Sequence, residues 1–185
     1  MAQMTTEQFT ADVKAARNGD ADAFGRLYAT VYRELFHVAK ASLRSSEDAA
    51  DAVSDAVLDA FRTIGKLRDE AAFRAWMFKI LSAKIKQKQR EYAKAADALD
   101  EANSPACEFG FAAPEVREAL RQLNDEDRLL FSMQVLGGYQ SRELAEMLGS
   151  TDGAIRTRLT RIRAKLREVL TDSTAAETGR EEYAV

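Results

Sequence analysis

The sequence predicts an all-α protein, and three observations carry the prediction. Gly and Pro are scarce, nine and two among 185 residues, so little interrupts the chain. Apolar residues recur at i, i+3, i+4 and i+7 through most of it, the period of core-facing helices. Residues 141–170 read as two helices joined by a tight turn, the second strongly basic. With 46% hydrophobic and 31% charged residues the chain is globular, and its length suits one domain or two small ones.

A first helix is expected over residues 1–16, capped by Thr5 or Thr6 and broken by Asn18 and Gly19. Asp20 starts a longer helix whose inner face is Phe24, Leu27, Tyr28, Val31, Leu35, Phe36, Ala39 and Leu43. Ser45 or Ser46 caps the next, with Glu47 and Asp48 at its positive start, and it runs to about Gly65. Its small inner face (Ala49, Ala52, Val53, Ala56, Ala60) admits a close neighbour, and its outer face carries Asp48, Asp51, Asp55 and Asp59. Like charges at that spacing cost an isolated helix a few tenths of a kcal/mol per pair, ~0.2–0.5. The stripe is therefore either merely solvated or met by a basic partner.

Residues 66–72 read as a polar loop, and Phe73 opens a helix to about Tyr92 with Phe73, Trp76, Met77, Ile80, Leu81 and Ile85 on one face. Bases crowd its second half. Aromatic residues followed by bases suit a strand of nucleic acid, although Phe73 and Trp76 are equally consistent with ordinary core. Residues 93–113 hold Pro105, Gly110 and several acids without a sustained period, and read as a linker with a helical start. Pro114 suits the first turn of a helix through Leu123, and Asn124 caps another to about Gly137. After the Gly137-Gly138 turn, Ser141 caps the first helix of the final pair, Gly149 stops it, and Thr151 caps the second. In that second helix Ile155, Leu159, Ile162, Leu166 and Val169 make a buried stripe, leaving Arg156, Arg158, Arg161, Arg163, Lys165 and Arg167 outside. Cap, turn and charge agree on a helix-turn-helix whose second helix enters the major groove; the alternative is a solvated amphipathic helix. Residues 171–185 are small, polar and acidic, a tail expected to be disordered.

Charge is arranged in blocks. The net charge is −3, yet residues 47–59 hold five acids and no base, and residues 79–94 hold six bases and one acid. Such alternation suggests separate faces for separate partners. The single cysteine, Cys107, excludes an internal disulfide and fits a reducing compartment. No apolar run approaches the ~20 residues that cross a bilayer, and the N-terminus lacks the order of a signal peptide, so a cytoplasmic location without membrane insertion is expected. The lone histidine, His37, has no second ligand or carboxylate pair beside it. With no Gly-rich phosphate loop, nucleophile elbow or metal-ligand spacing, the sequence offers no catalytic residue, no cofactor site and no metal site.

Four stretches, in this order and spacing, give the chain a resemblance. GDADAFGRLYATVYRELFHVA, EDAADAVSDAVLDAF, FRAWMFKIL and GSTDGAIRTRLTRIRAKLRE resemble the opening helix, the polymerase-binding helix, the promoter-melting helix and the recognition helix of bacterial RNA polymerase sigma factors of the extracytoplasmic-function (ECF) group. Ser54 stands where the family usually has Gln, and Ala72, Ala83, Gln87 and Ser150 also depart from its pattern. The resemblance implies two small helical domains joined by a flexible linker, the C-terminal one containing the helix-turn-helix. Residues 1–94 would bind polymerase and melt the −10 element, 95–113 would be an acidic linker, and 114–170 would read the −35 element. It further implies that Asp48, Asp51, Val53, Asp55 and Asp59 face the core RNA polymerase. Arg68, Phe73, Trp76, Lys79, Lys84, Lys86, Lys88 and Arg90 would hold the −10 DNA, with Phe73 at a flipped base. Arg156, Thr157, Arg158, Arg161, Arg163 and Lys165 would contact the −35 DNA. An anti-sigma factor is an implied partner beside polymerase and promoter DNA. The rival readings are a stand-alone helix-turn-helix transcription regulator, dimeric on a palindromic duplex, and a helical adaptor that binds proteins only.

Overall fold

The computed structural model describes residues 4–99 and 114–181, and all of its regular elements there are helical. The helices are α1 Thr6–Arg17, α2 Ala21–Ser42, α3 Ser46–Thr63, α4 Phe73–Leu99, α5 Pro114–Arg121, α6 Asp125–Val135, α7 Ser141–Leu148 and α8 Asp152–Glu181. Short 3-10 turns, Ile64–Lys66 and Glu70–Ala72, fill the connection between α3 and α4. Most of the linker expected over 95–113, with Cys107, lies outside the described residues. So do residues 182–185 of the tail.

Local chemistry sets most boundaries. The Thr5 and Gln8 side chains each accept from the other residue's backbone N–H, closing a capping box at α1. Asp20, Ser45 and Asn124 accept from the N–H three residues on, and Thr151 does the same for α8 at 3.2 Å. Pro114 is the first residue of α5. Gly149 ends α7 at φ 66°, a backbone angle other residues reach only under strain. Three boundaries differ from expectation. Gln140, not Ser141, precedes α7 as its cap, because Glu143 accepts from the Gln140 N–H at 2.8 Å; Ser141 is the first helical residue and donates instead to Asp152 at 2.5 Å. Helix α4 continues to Leu99, into the stretch read as linker. Helix α8 runs on to Glu181, where a disordered tail was expected: nothing between Thr171 and Ala176 breaks a helix, and α8 simply propagates through it.

In the N-terminal unit α2 packs between α1 and α3, and α3 lies along α4. The small residues Ala49, Ala52, Ala56 and Ala60 are buried on α3, which lets its neighbours approach closely. Phe24, Phe73 and Phe9 meet edge to face around the core, at ring-centroid distances of 5.9 to 6.4 Å. In the C-terminal unit α5, α6 and α7 surround the buried stripe of α8, Ile155, Leu159, Ile162 and Leu166. The two units also touch each other: α6 packs on α2, and α7 on α4.

Candidate nucleic-acid interface

Helix α4 divides its residues among three faces, and that division sorts the residues assigned to −10 DNA. Trp76, Lys79, Ala83, Lys86 and Arg90 follow the 3-4-3-4 spacing of one stripe. Trp76 is half-buried, and Lys79, Lys86 and Arg90 are exposed, with Arg68 also exposed in the loop before the helix. These five residues form an accessible basic edge with one aromatic ring. Lys84 and Lys88 lie on another face, turned to α3. The Lys84 ammonium is 2.5 Å from Asp59, and that of Lys88 is 3.3 Å from Asp48 and 3.7 Å from Asp51. Phe73 is fully buried, 0% exposed, with Phe9, Phe24 and Trp76 around it. A ring in that position cannot stack on a flipped base; it supports Trp76 from behind. The aromatic that begins a helix beside a second hydrophobic element is core, and the contact with Phe9 of α1 was invisible at the level of spacing.

The acid stripe of α3 is correspondingly less bare than its sequence suggests. Lys84 and Lys88 neutralise three of its four carboxylates from within the same unit. Burial raises the Asp48 carboxyl, but the Tyr92 phenol, the Ser45 hydroxyl and the Lys88 ammonium beside it outweigh that and hold it below the usual carboxylate range. The Lys84 hydrogen bond likewise lowers Asp59. Asp55 has no ion pair among the described residues and is exposed, as is Leu58 one residue from Asp59, 52% accessible. Asp51, although near Lys88, keeps an exposed side chain. Val53 is buried at 3%, on the alanine face rather than the acid face, so it cannot meet a partner directly.

The C-terminal unit shows a similar division. Arg156 and Arg161 are exposed along α8; Arg156 pairs with Asp152 of the preceding turn, and Thr157 donates to the Gly153 carbonyl. Arg158 turns inward. Its Nε lies 2.5 Å from Asp127 and a terminal nitrogen 2.9 Å from Glu126, both at the start of α6. The other Asp127 oxygen accepts from Asn124, the α6 cap. Arg158 therefore ties α8 to the first turn of α6. Arg163 donates to Gln134 at 2.7 Å and Lys165 to the Gln122 carbonyl, so both also brace α8 against the unit, with their side chains largely exposed. A shallow pocket lined by Gly153, Ala154, Thr157, Arg158, Arg161 and Asp127 marks the outer face of α8. Opposite it, a groove of about 700 Å³ is lined mainly by Leu120, Phe131, Leu166 and Leu170, with Arg163 and Arg167 at its rim.

Two polar residues that sequence reasoning did not single out join the units. Arg74 donates to Glu34 at 2.9 Å and to the Gly137 carbonyl, and its guanidinium lies 4.4 Å from the centre of the Tyr139 ring. Gln89, buried, donates to the Ser42 carbonyl at 3.2 Å and the Asp125 carbonyl at 3.4 Å. A glutamine among lysines on an apolar-periodic helix is the only signal of the second; Arg74 carried none. No helix among the described residues is long and apolar enough to cross a membrane.

Residues 27–95 match the family model "Sigma-70 region 2", and residues 114–166 match "Sigma-70, region 4". The chain is 33% identical over 168 residues to the ECF RNA polymerase sigma factor SigM of Mycobacterium tuberculosis, covering 89% of this chain and 86% of that protein. It is 28% identical over 186 residues to the ECF RNA polymerase sigma-E factor of Escherichia coli K12, covering 88% and 93%. Two solved structures share the fold. CnrH in complex with the cytosolic domain of CnrY superposes with a TM-score of 0.67 at 24% identity, covering 89% of this chain and 98% of that one. The sigma factor RpoE of Bartonella quintana, in complex with the anti-sigma factor NepR, gives 0.66 at 21% identity, covering 80% and 96%.

Proposed function

The chain belongs to the extracytoplasmic-function group of RNA polymerase sigma factors, a family of non-enzymatic initiation factors, and from that premise we propose how its residues divide the work. As an alternative sigma factor it binds core RNA polymerase and directs promoter-specific transcription initiation. The outer face of α3 docks on the polymerase through Asp55, Asp51 and the exposed Leu58, with Asp48 and Asp59 as paired neighbours of that face. The edge of α4 formed by Trp76, Lys79, Lys86 and Arg90, with Arg68 before it, holds the opened −10 strand: phosphates on the bases, and one unstacked base against Trp76. Arg156, Thr157 and Arg161 read the −35 element from the major groove, while Arg158 positions the helix that carries them. Domain boundaries near residue 94 and residue 114 follow from this division, with α4 reaching past the first. The apolar groove beside Leu120 and Phe131 gives a protein partner a hold on the second domain. An anti-sigma factor, of the kind bound to RpoE, is a proposed regulator. Action beside polymerase supports a cytoplasmic location.

The observation that carries this division is that α4 shows one basic edge to solvent and spends its other lysines on the acids of α3. Run-off transcription tests it. Core polymerase with the wild-type chain is expected to transcribe from a −35/−10 promoter, and Lys79→Ala with Lys86→Ala to lose most of that transcript while still binding core. Full activity of that double variant would remove α4 from the DNA path.

A further inference from the structure

Resting on the sigma-factor reading, we infer that Arg17 of α1 is a positioning residue for capture of the opened −10 strand: it staples the loop before α4 and thereby sets Arg68 for its phosphate contact. Helix α1 carries none of the residues assigned to polymerase or DNA. It is nevertheless fixed firmly against its unit. Val13 and Ala16 are buried. Asp12 accepts from Arg26 of α2 through both carboxylate oxygens, at 2.5 to 3.2 Å. Phe9 meets Phe73, the first residue of α4, edge to face at 5.9 Å. The residue that ends this anchored helix is Arg17, and its side chain reaches a loop fifty positions further along the chain.

One guanidinium grips the loop at both ends of a short arch. It donates to the Leu67 carbonyl, and its other terminal nitrogen lies 3.5 Å from the Glu70 carboxylate. Only Arg68 and Asp69 lie between those points. The Leu67 carbonyl and the Arg68 N–H belong to one planar peptide unit, so holding the oxygen fixes the plane from which Arg68 departs. That control matters because the exposed Arg68 side chain has no ion pair or hydrogen bond of its own among the described residues. Its backbone alone directs it. The rest of the loop is equally set. Leu67 is buried and its N–H donates to the Ile64 carbonyl at 3.0 Å, while the Asp69 carboxylate accepts from the Ala71 N–H at 3.0 Å. Side chains of Arg17 and Glu70 are 26% and 25% exposed, so the pair is shielded from much of the solvent screening that weakens surface ion pairs. Lysine at position 17 would keep the charge, but a single ammonium lacks the planar fork that meets a carbonyl and a carboxylate together. A loop set beforehand loses less freedom when the strand arrives, which favours binding.

Binding of a single-stranded −10 oligonucleotide to core polymerase loaded with the full chain, measured across a salt series, tests this. Arg68→Ala is expected to weaken binding about threefold to tenfold and to flatten the slope of log K against log salt by about 0.7, the loss of one single-strand phosphate contact. Arg17→Gln should shift both quantities the same way, while core binding and −35 duplex binding stay within about twofold of wild type. In the Arg68→Ala background Arg17→Gln should add nothing, because the two residues act on one contact. Arg17→Lys carries the same cycle should Arg17→Gln fail to fold. Asp12→Asn loosens α1 without touching the loop, and should leave oligonucleotide binding intact. Additive losses in the double variant, a salt slope that Arg17 variants do not move, full binding by Arg17→Lys, or an equal loss from Asp12→Asn would overturn the inference. The two claims separate on the wild-type chain. If core loaded with it binds neither the oligonucleotide nor the −35 duplex, the sigma-factor reading falls as well; if it binds both and the Arg17 variants match it, only the staple is lost.

Discussion

Replacing Arg158 by Ala separates a strut from a reader. Its guanidinium makes two charge-assisted contacts, at 2.5 Å to Asp127 and 2.9 Å to Glu126. Fully exposed pairs contribute about 0.2–1 kcal/mol, and bonds to charged groups about 1.5–3 when shielded. The Arg158 side chain is 39% exposed and that of Asp127 is 23% exposed, so solvent screening discounts the upper figure. Arg158→Ala is therefore expected to cost about 1–2 kcal/mol, or roughly 2–8 °C of melting temperature in a chain of this size. Urea unfolding of Arg158→Ala, Asp127→Asn and the double variant measures it, with an expected coupling near ~1 kcal/mol. Arg161→Ala is the control. Its side chain is exposed, so stability should stay within ~0.5 kcal/mol while binding to a −35 duplex by the polymerase-bound chain falls roughly 5- to 150-fold. If Arg158→Ala leaves stability unchanged and costs as much −35 binding as Arg161→Ala, Arg158 reads DNA and the reasoning fails.

Within the acid stripe, Asp55→Arg should impair core-polymerase pull-down with no loss of melting temperature, whereas Asp48→Asn should lower stability; equal effects on both assays would erase the distinction between docking and clasping acids. The pH dependence follows from the same clasp. Asp48 and Asp59 are held below the ordinary 3.8, so the unfolded chain binds their protons first, and the stabilisation they give is present above that value and lost as pH falls through their lowered values. Urea midpoints measured from pH 6 to 2.5 should drop below about pH 4, and less steeply for Asp48→Asn with Asp59→Asn. Gly25→Ala, in the second turn of α2 with open space around the added carbon, should stabilise by about 0.5–1 kcal/mol. Gly137→Ala, whose added carbon would lie 2.5 Å from the Met133 carbonyl oxygen, should destabilise by about 1–3 kcal/mol; thermal melts in the opposite order would refute the backbone account.

Local signals were legible in the sequence, and contacts between distant residues were not. Caps at Asp20, Ser45, Asn124 and Thr151 and the stop at Gly149 each depend on atoms within a few residues, so residue type alone announces them. The buried stripe of α8 was legible for the same reason, since one helix's period fixes which side is apolar. Gln140 was passed over for Ser141, although Glu143 three residues on carried a capping signal. Lys84 and Lys88 looked like DNA ligands because periodicity gives a residue's face but not its neighbour, and the acids they clasp stand 25 and 40 positions away in order of pairing. The pairing of Arg158 was hidden likewise, its partner being 31 residues distant. Val53 differs: it sits inside an acidic motif, yet its own spacing with Ala49, Ala52 and Ala56 already placed it on the inner face. The joint between the two units had no sequence signature at all, since Arg74 and Tyr139 reveal their pairing only once α4 and the α6–α7 turn are adjacent.

Permanganate reactivity of −10 thymines tests the central claim most directly, because it reports strand opening and not just binding. Reactive thymines are expected only when core polymerase and this chain are both present, and to vanish with Asp51→Arg and Asp55→Arg. Thymines that stay protected in the complete mixture, or tight duplex binding by the chain without polymerase, would contradict it.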